Sequence, residues 1–163
     1  MTQFAPGPDT KTAFRDALGT FTTGVTVVTC RSEAGPLGIT ANSFTSVSLD
    51  PALVLWCPAK SSSRFQSFVH ADRFAIHVLR TDQQELGRHF ATDGLSFDGI
   101  DWTEDANGVP LINQCLARFD CHRFAIHDGG DHAIIVGQVT LVTKSDGAPL
   151  IFNRGQFGGF SIQ

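Results

Sequence analysis

The sequence lacks several features that mark whole classes of protein. It has no run of Lys or Arg, and its formal net charge is −4, which argues against a nucleic-acid backbone as partner. No apolar stretch approaches the roughly 18 residues that a membrane span needs, and residues 1–11 show no apolar core of a secretory signal. We therefore expect a soluble cytoplasmic protein with neither a nucleic-acid nor a membrane partner.

Tyrosine is absent, whereas phenylalanine occurs fourteen times. Many aromatic rings without hydroxyl groups favour apolar pockets and a tightly packed barrel. The two common glycine motifs for phosphate binding, GxGxxG and GxxxxGK[ST], are also missing. Any nucleotide or flavin must therefore bind without a Rossmann or P-loop frame.

The four cysteines form no CxxC pair, and we expect them to be small, mostly buried side chains in a reducing compartment. A cluster of possible metal ligands lies close in sequence: Cys115, Cys121, His122, His127 and His132. Its spacing fits no common zinc pattern, and Cys121 and His122 point to opposite faces of an extended strand. We therefore expect no metal site, and nothing marks any cysteine as an activated nucleophile.

The 163 residues are expected to form one domain over 1–163. Apolar periodicity predicts helices over 10–22 and 61–70, and a capping box of Thr81 and Gln84 predicts a third helix that ends at Phe90. The segment between Thr92 and Pro110 is rich in Gly, Asp and Asn and is predicted to be a surface loop. Strands are predicted over 25–29, 37–43, 45–48, 52–57, 73–79, 116–126, 132–143 and 150–153. Short strands with two to three helices and no regular βα alternation favour a mainly β protein with an antiparallel barrel.

Three stretches carry candidate chemistry. The first, Gly38–Pro51, is dense in small hydroxyl and amide side chains. It is typical either of an edge strand with a turn or of a wall of donors along a planar heterocycle such as a flavin. The second, Lys60–Ser63, precedes a predicted helix, where free backbone N–H groups, three hydroxyls and one ammonium favour an anion such as a flavin phosphate. Helix capping by Ser61 is the alternative, and it would explain one serine but not three serines with a lysine.

The third stretch is Gly129–His132, in which two glycines allow a sharp turn before a predicted strand. A single histidine is more often structural than catalytic. His132, however, would stand at the mouth of a strand, where a ligand is within reach.

With these stretches the sequence resembles the short-chain flavin reductase family, the reductase components of two-component flavin-dependent monooxygenases. The resemblance covers the chain from about Phe14 to Phe160. Its strongest segments are Gly24–Thr29, Gly38–Ser48 with Asp50-Pro51, the Lys60–Ser62 region, Phe90-Ala91 and Gly130–His132.

The resemblance implies a Greek-key, FMN-binding split barrel that works as a homodimer. It implies a reductase that transfers hydride from NADH or NADPH to FMN or FAD and supplies reduced flavin to a partner monooxygenase. His132 would be the catalytic residue that helps to position the hydride donor, and Phe157 and Phe160 would contact the nicotinamide. Flavin-binding residues would be Thr40, Ala41, Asn42, Ser43, Ser46, Val47, Ser48, Cys57, Lys60, Ser62, Ser63, Phe90 and Ala91.

Three alternatives stay open at this point. The same barrel can hold flavin tightly and reduce another substrate, such as a corrin metal or a ferric chelate. It can resemble pyridoxamine-phosphate oxidases, or it can be a flavin-binding module without catalysis. No cluster of arginines for a 2′-phosphate is visible, which favours NADH over NADPH, whereas FMN and FAD are not distinguished.

Overall fold

A computed structural model of the protein describes residues 1–161. Three α-helices occur within this range: α1 (Lys11–Leu18), α2 (Phe65–His70) and α3 (Gln84–Thr92). Short 3₁₀ turns precede α1 and α3. The strands are β1 (Thr23–Gly24), β2 (Thr26–Ser32), β3 (Gly35–Ala41), β4 (Thr45–Leu49), β5 (Ala52–Trp56), β6 (Arg73–Val78), β7 (Trp102–Glu104), β8 (Pro110–Ile112), β9 (Ala117–Gly129), β10 (His132–Lys144), β11 (Leu150–Asn153) and β12 (Gln156–Gly159).

Seven strands form one antiparallel sheet in the order β3-β2-β6-β9-β10-β5-β4. Its two edge strands, β3 and β4, follow each other in the chain with only residues 42–44 between them, so the edges of the sheet lie close together. One apolar cluster takes side chains from six of the strands, including Val28, Leu37, Trp56, Ile76 and Ile135. The sheet therefore curls around a common core and forms a barrel, as predicted.

A second, smaller layer lies beside the barrel. Strands β1, β11 and β12 form a three-stranded sheet, and β7 pairs with β8. Phe90 of α3, Phe97 and Ile112 belong to the apolar cluster between these elements and the barrel. This layer covers the outside of β2 and β3 and so fixes the position of α3.

A fully buried histidine ties three strands together. The His77 Nδ1 atom on β6 lies 3.0 Å from the Val27 carbonyl oxygen, and its Nε2 accepts a hydrogen bond of 3.0 Å from the Ile112 backbone N–H. Both ring nitrogens are thus used by the neutral imidazole. Burial lowers the pKa of His77 from 6.5 to about 3.

The mainly β fold class with three short helices is confirmed, while several boundaries differ. The first predicted helix ends at Leu18 instead of residue 22, and the second begins at Phe65. The capping interaction of the third helix lies one residue earlier than predicted, because the Arg80 backbone N–H donates to Gln83 Oε1 at 3.0 Å.

The predicted loop between Thr92 and Pro110 is wrong in part. Trp102–Glu104 forms β7 and pairs with β8, and Phe97 and Val109 are buried. Strand β12 was not predicted, since its four residues include two glycines.

No helix within residues 1–161 has the length and apolar character that a membrane crossing requires.

Candidate functional site

A cleft of about 530 Å³ opens where β3 and β5 end and β10 begins. This size is in the range of small-molecule sites. Its lining combines apolar side chains with a few polar groups: Ile39, Thr40, Ala41, Asn42, Ser43, Trp56, Cys57, Pro58, Ala59, Gly129, His132 and Ile134. Six of the predicted site residues therefore meet here: Thr40, Ala41, Asn42, Ser43, Cys57 and His132.

The hydroxyl groups of this wall are used inside the protein. Thr40 Oγ1 donates to the Gly87 carbonyl oxygen of α3 at 2.6 Å. Ser43 Oγ accepts a hydrogen bond of 2.9 Å from the Cys57 backbone N–H, which joins the ends of β3 and β5. In contrast, the side-chain amide of Asn42 has no hydrogen-bond partner within residues 1–161. Asn42 is therefore the polar side chain of the wall that can meet a ligand.

His132 stands at the tip of the β9–β10 hairpin. Its Nδ1 lies 2.7 Å from Asp131 Oδ1, and this hydrogen bond, together with the charge interaction, lowers the pKa of the Asp131 carboxyl. Gly130 provides the left-handed conformation (φ 77°) that the tight turn requires. With Nδ1 held by Asp131, His132 has Nε2 left for the cleft.

The hairpin tip is docked on the segment after β5. The Lys60 backbone N–H donates to the Asp131 carbonyl oxygen at 2.9 Å, and the Ala133 N–H donates to Pro58 at 3.1 Å. The Lys60 ammonium also forms an ion pair with Asp128. The two walls of the cleft are therefore held together by backbone and side-chain bonds.

The predicted anion site at Lys60–Ser63 differs from expectation. Helix α2 begins two residues beyond this stretch and has only six residues. Ser62 Oγ accepts a hydrogen bond of 3.2 Å from the Arg64 N–H, and Ser63 lines a separate cavity of about 600 Å³ beside Arg31. The ammonium of Lys60 is already paired, so the structure does not assemble an anion site at a helix start.

Phe90 and Ala91 do not close over the cleft within this chain. The Phe90 ring is fully buried, and its centroid lies 5.0 Å from that of Phe97. The Ala91 carbonyl oxygen accepts a hydrogen bond of 3.2 Å from Arg64 Nη2. Helical spacing was an available signal, because Leu86 and Phe90 stand four residues apart and share the inner face of α3.

Ser46, Val47 and Ser48 lie on the edge strand β4, outside the lining of the cleft. The register with β5 shifts between Ser46 and Ser48, so Val47 is the additional residue of a β-bulge. Phe157 packs against Phe152 with the centroids 5.4 Å apart, and Phe160 is exposed.

Several lining residues were missed by sequence analysis. Ile39 and Ile134 bring apolar surface to the cleft, Trp56 is the last residue of β5, and Pro58 lies two residues beyond it. Trp56 Nε1 is buried without a hydrogen-bond partner within residues 1–161. Strand alternation was an available signal, because Ile39 and Ile134 each stand two positions from another lining residue.

Metal and thiol chemistry have no visible basis at this site. No group of three or more His, Cys, Asp or Glu side chains within residues 1–161 is arranged to hold a metal ion. Burial raises the pKa of Cys57, the cysteine at the cleft, above its ordinary value. The pKa of the buried Cys30 rises to about 12 for the same reason. Cys30, Cys115 and Cys121 are buried, as expected, whereas Cys57 is half-buried.

Comparisons with known proteins agree on one family. The flavin reductase like domain matches residues 18–161. The FMN reductase (NADH) of Agrobacterium fabrum is 56% identical over 160 residues, which cover 98% of this chain and 92% of the relative. The reductase subunit of a flavin-dependent monooxygenase from Rhodococcus jostii is 40% identical over 148 residues, covering 90% of this chain and 76% of the relative. The solved structure of the NADH:FAD oxidoreductase of Streptomyces globisporus with NAD and FAD fragments aligns with a TM-score of 0.89 at 38% identity, covering 98% of both chains.

Proposed function

The chain belongs to the family of flavin reductase-like domains, and on this premise we propose that the cleft beside Asn42 and His132 is where it transfers hydride from NADH to FMN or FAD. The enzyme is an NADH-dependent flavin oxidoreductase of the kind that supplies reduced flavin to monooxygenases. The observation that carries the proposed site is the cleft itself. It brings three separate predicted segments, Thr40–Ser43, Cys57 and His132, to one place.

The residues of the cleft fit a flavin. A flat heteroaromatic ring needs apolar contact on its faces and polar partners at its edge. Ile39, Pro58 and Ile134 offer the apolar contact, and Asn42 offers an amide with no partner inside residues 1–161. The proposal keeps Thr40 and Ser43 as contacts through their backbone, since their hydroxyl groups are bound internally.

Bound flavin supplies the redox chemistry, because its ring accepts the hydride that NADH gives up. The contribution of the chain is orientation and exclusion of water. Ile39 and Ile134 keep water from the ring faces, and Asn42 orients the polar edge. His132, held at Nδ1 by Asp131, offers Nε2 to the nicotinamide and so helps to position the donor.

Lys60 and Ser62 keep their predicted role, whereas Ser46, Val47 and Ser48 are proposed with a changed one. Ser46, Val47 and Ser48 lie on an exposed edge strand, and Lys60 and Ser62 lie beside the cleft near its hairpin wall. We propose that these residues approach the ribityl and phosphate end of the flavin through hydroxyl and backbone groups, since the Lys60 ammonium is paired with Asp128. Ser63 lines a separate cavity, and Phe90 and Ala91 do not line the cleft, so we assign these three residues no contact with the flavin.

We further propose that the protein is a homodimer. Apolar side chains lie exposed along the barrel: Val47, Leu49, Phe124, Ile126, Leu141 and Val142. Exposed apolar side chains on β4, β9 and β10 favour a subunit interface. Sedimentation at micromolar concentration should give twice the chain mass of 17.6 kDa, and a mass of one chain would refute the dimer. We also propose that residues 1–163 form one domain. The proposed location is the cytoplasm, where NADH is regenerated, and cell fractionation tests this location.

The function is tested by anaerobic stopped-flow with NADH and an excess of FMN or FAD. Loss of the visible flavin absorption over many turnovers is expected. The Asn42→Ala variant should raise the KM for flavin about three- to tenfold, the equivalent of one neutral hydrogen bond. Asn107→Ala, in the exposed turn before β8, is the matched control and should leave that KM unchanged.

Absence of flavin reduction by wild-type protein that demonstrably binds flavin would overturn the proposed activity. An unchanged flavin KM in Asn42→Ala, with reduction intact, would instead refute the proposed site.

A further inference from the structure

Helix α1 is weakly anchored to the rest of the fold. None of its eight residues is buried within the part of the chain that the structure describes. Isolated helices shorter than about 12–15 residues are marginal in water, so a helix of this length normally depends on packing against its neighbours. Phe14 and Leu18 stand four residues apart on one face of α1, and both side chains are exposed. The helix thus has an apolar face that is suited to burial and is left open.

A large cavity lies beside this helix. Its volume is about 1190 Å³, and it lies between α1, the N-terminal residues and the turn that joins β11 to β12. Leu18 and Phe21 both line it, although they are 59% and 78% exposed. These side chains therefore border the space without filling it, and the helix has room to move towards the barrel.

The cavity adjoins the cleft. Asn42 lines both spaces, so they meet at the side chain that we assign to the polar edge of the flavin. The first residue of α1 lies near the tip of the β9–β10 hairpin, since the pKa of the Asp131 carboxyl is lowered first by His132 and also by the Lys11 ammonium. Helix α1 therefore runs from the hairpin tip to the β11–β12 turn, past the mouth of the cleft.

The two ends of α1 are attached differently. At the C-terminal end, the Arg154 N–H donates to the Gly19 carbonyl oxygen at 2.9 Å. The Asn153 side-chain amide adds hydrogen bonds of 3.3 Å to the Thr20 carbonyl oxygen and 2.7 Å to Thr22 Oγ1. At the other end, no ion pair or side-chain hydrogen bond joins Lys11 to the barrel within residues 1–161. The helix is thus fixed at one end and loose at the other, as a hinged element requires.

We propose that α1 is a lid that closes over the cleft when flavin binds, turning about its attachment at Gly19 and burying Leu18 and Phe21 in the cavity. The inference rests on the proposed function, because the cleft must hold flavin for the lid to close on it. Burial of the two apolar side chains favours the closed form. Closure excludes water from the flavin ring, and reopening sets how fast reduced flavin leaves. A second copy of the chain is the other candidate to cover this face, but Leu18 and Phe21 border a space inside their own chain, which favours the lid.

The first experiment measures hydrogen exchange of the α1 amides by mass spectrometry, without flavin and with saturating FMN, at two protein concentrations tenfold apart. In the free protein these amides should exchange almost as fast as in an unfolded peptide, because elements with few buried contacts open readily. FMN should slow them by about tenfold or more, the equivalent of burying one apolar side chain. The turn over residues 105–108, which does not line the cleft, is the control segment and should not change.

The second experiment measures the dissociation rate of FMN by stopped-flow fluorescence in a double variant, Leu18→Ser with Phe21→Ser. The rate should rise about tenfold, because the closed form loses its apolar contacts, and FMN should no longer protect the α1 amides. Both side chains are more than half exposed, so the variant should keep the wild-type unfolding midpoint in urea. Leu95→Ser is the matched control, since Leu95 is 55% exposed and does not line the cavity.

Unchanged exchange of α1 in protein that binds and reduces FMN would refute the lid and leave the proposed function standing. An unchanged FMN dissociation rate in the double variant would refute the lid as well. Exchange that slows with protein concentration instead of with FMN would show that a second copy covers this face, and the lid would again be wrong. If the protein binds no flavin, the proposed function and the lid both fail.

Discussion

The buried histidine that joins β6, β2 and β8 predicts a specific loss of stability in mild acid. The pKa of His77 is about 3 in the folded chain and 6.5 as the ordinary value, so between these pH values the unfolded chain binds a proton that the folded chain does not. The free energy of unfolding must therefore fall as the pH drops from 6.5 towards 3, by about 1.4 kcal/mol per pH unit. Above pH 6.5 the contribution is fully present, and below pH 3 the loss is complete.

Between pH 7.5 and 5.0 these two pKa values give a loss of about 2 kcal/mol from His77 alone. Urea unfolding at fixed protein concentration and ionic strength measures it, since association would otherwise shift the result. Carboxylates also titrate in acid. The contribution of His77 is therefore the difference in acid-induced stability loss between wild type and a variant with no ionisable side chain at position 77. His77→Gln should start less stable by about 1–3 kcal/mol, because one buried backbone group loses its partner, and should lose about 2 kcal/mol less on acidification.

Ile76→Val is the matched control for this comparison. It changes a buried side chain on the same strand and should cost about 0.5–1.5 kcal/mol, while keeping the wild-type pH dependence. Identical pH dependence of wild type and His77→Gln between pH 7.5 and 5.0 would refute the reasoning.

Three further predictions follow from the site and its supports. His132→Ala should lower turnover by about tenfold without abolishing it, because hydride transfer needs no proton from the protein; complete loss in stopped-flow with flavin still bound would contradict this role. A Cβ at Gly38 would lie 2.5 Å from the buried Phe90 ring, so Gly38→Ala should cost about 1–3 kcal/mol in urea unfolding. Gly24→Ala, which meets nothing within 4 Å, is the control, and equal stability of the two variants would refute the packing argument. Arg64 donates to three carbonyl oxygens on β3 and at the end of α3, so Arg64→Lys should cost about 1–3 kcal/mol; an unchanged unfolding midpoint would show that these bonds contribute nothing.

Much of the barrel was predictable because its strands carry a strong local signal. The run from Leu150 to Asn153 was predicted with the bounds that the structure has, and the strands that hold Ala52 and His132 were placed within a residue or two at each end. In each case apolar or β-branched residues are bounded by proline, glycine or charged residues. The fold class and the flavin reductase family followed from these strands and from the long Gly38–Ser48 segment, and both are confirmed.

The elements that escaped prediction are stabilised by distant contacts. Strands β7 and β8 have three residues each, which is too short for periodicity to register. They form because Val109 and Leu111 are buried against Ala75 of the barrel. Gly, Asp and Asn dominate the segment between Thr92 and Pro110, and this composition predicted a loop.

The structure shows which predicted site residues lie together, while their role as a flavin site stays a prediction. Asn42, Cys57 and His132 line one cleft, although 90 residues separate the first from the last. What sequence cannot give is the direction of a hydroxyl group or the partner of an ammonium. The Thr40 hydroxyl donates to a carbonyl oxygen of α3, and the Lys60 ammonium pairs with Asp128. Both contacts depend on residues that are distant in the sequence.

The internal use of the Thr40 and Ser43 hydroxyl groups bears on redesign of the enzyme. If the cleft is the proposed cofactor site, a mutant library aimed at cofactor preference gains little from these two positions, since changes there remove a hydrogen bond to α3 or to the end of β5. Substitutions at Asn42, Ile39 and Ile134 are more useful. Their side chains line the cleft and make no hydrogen bond that supports the fold within residues 1–161. The wall of the cleft thus contains two kinds of position. Thr40 and Ser43 stabilise the fold, whereas Asn42, Ile39 and Ile134 can be changed without loss of a supporting hydrogen bond.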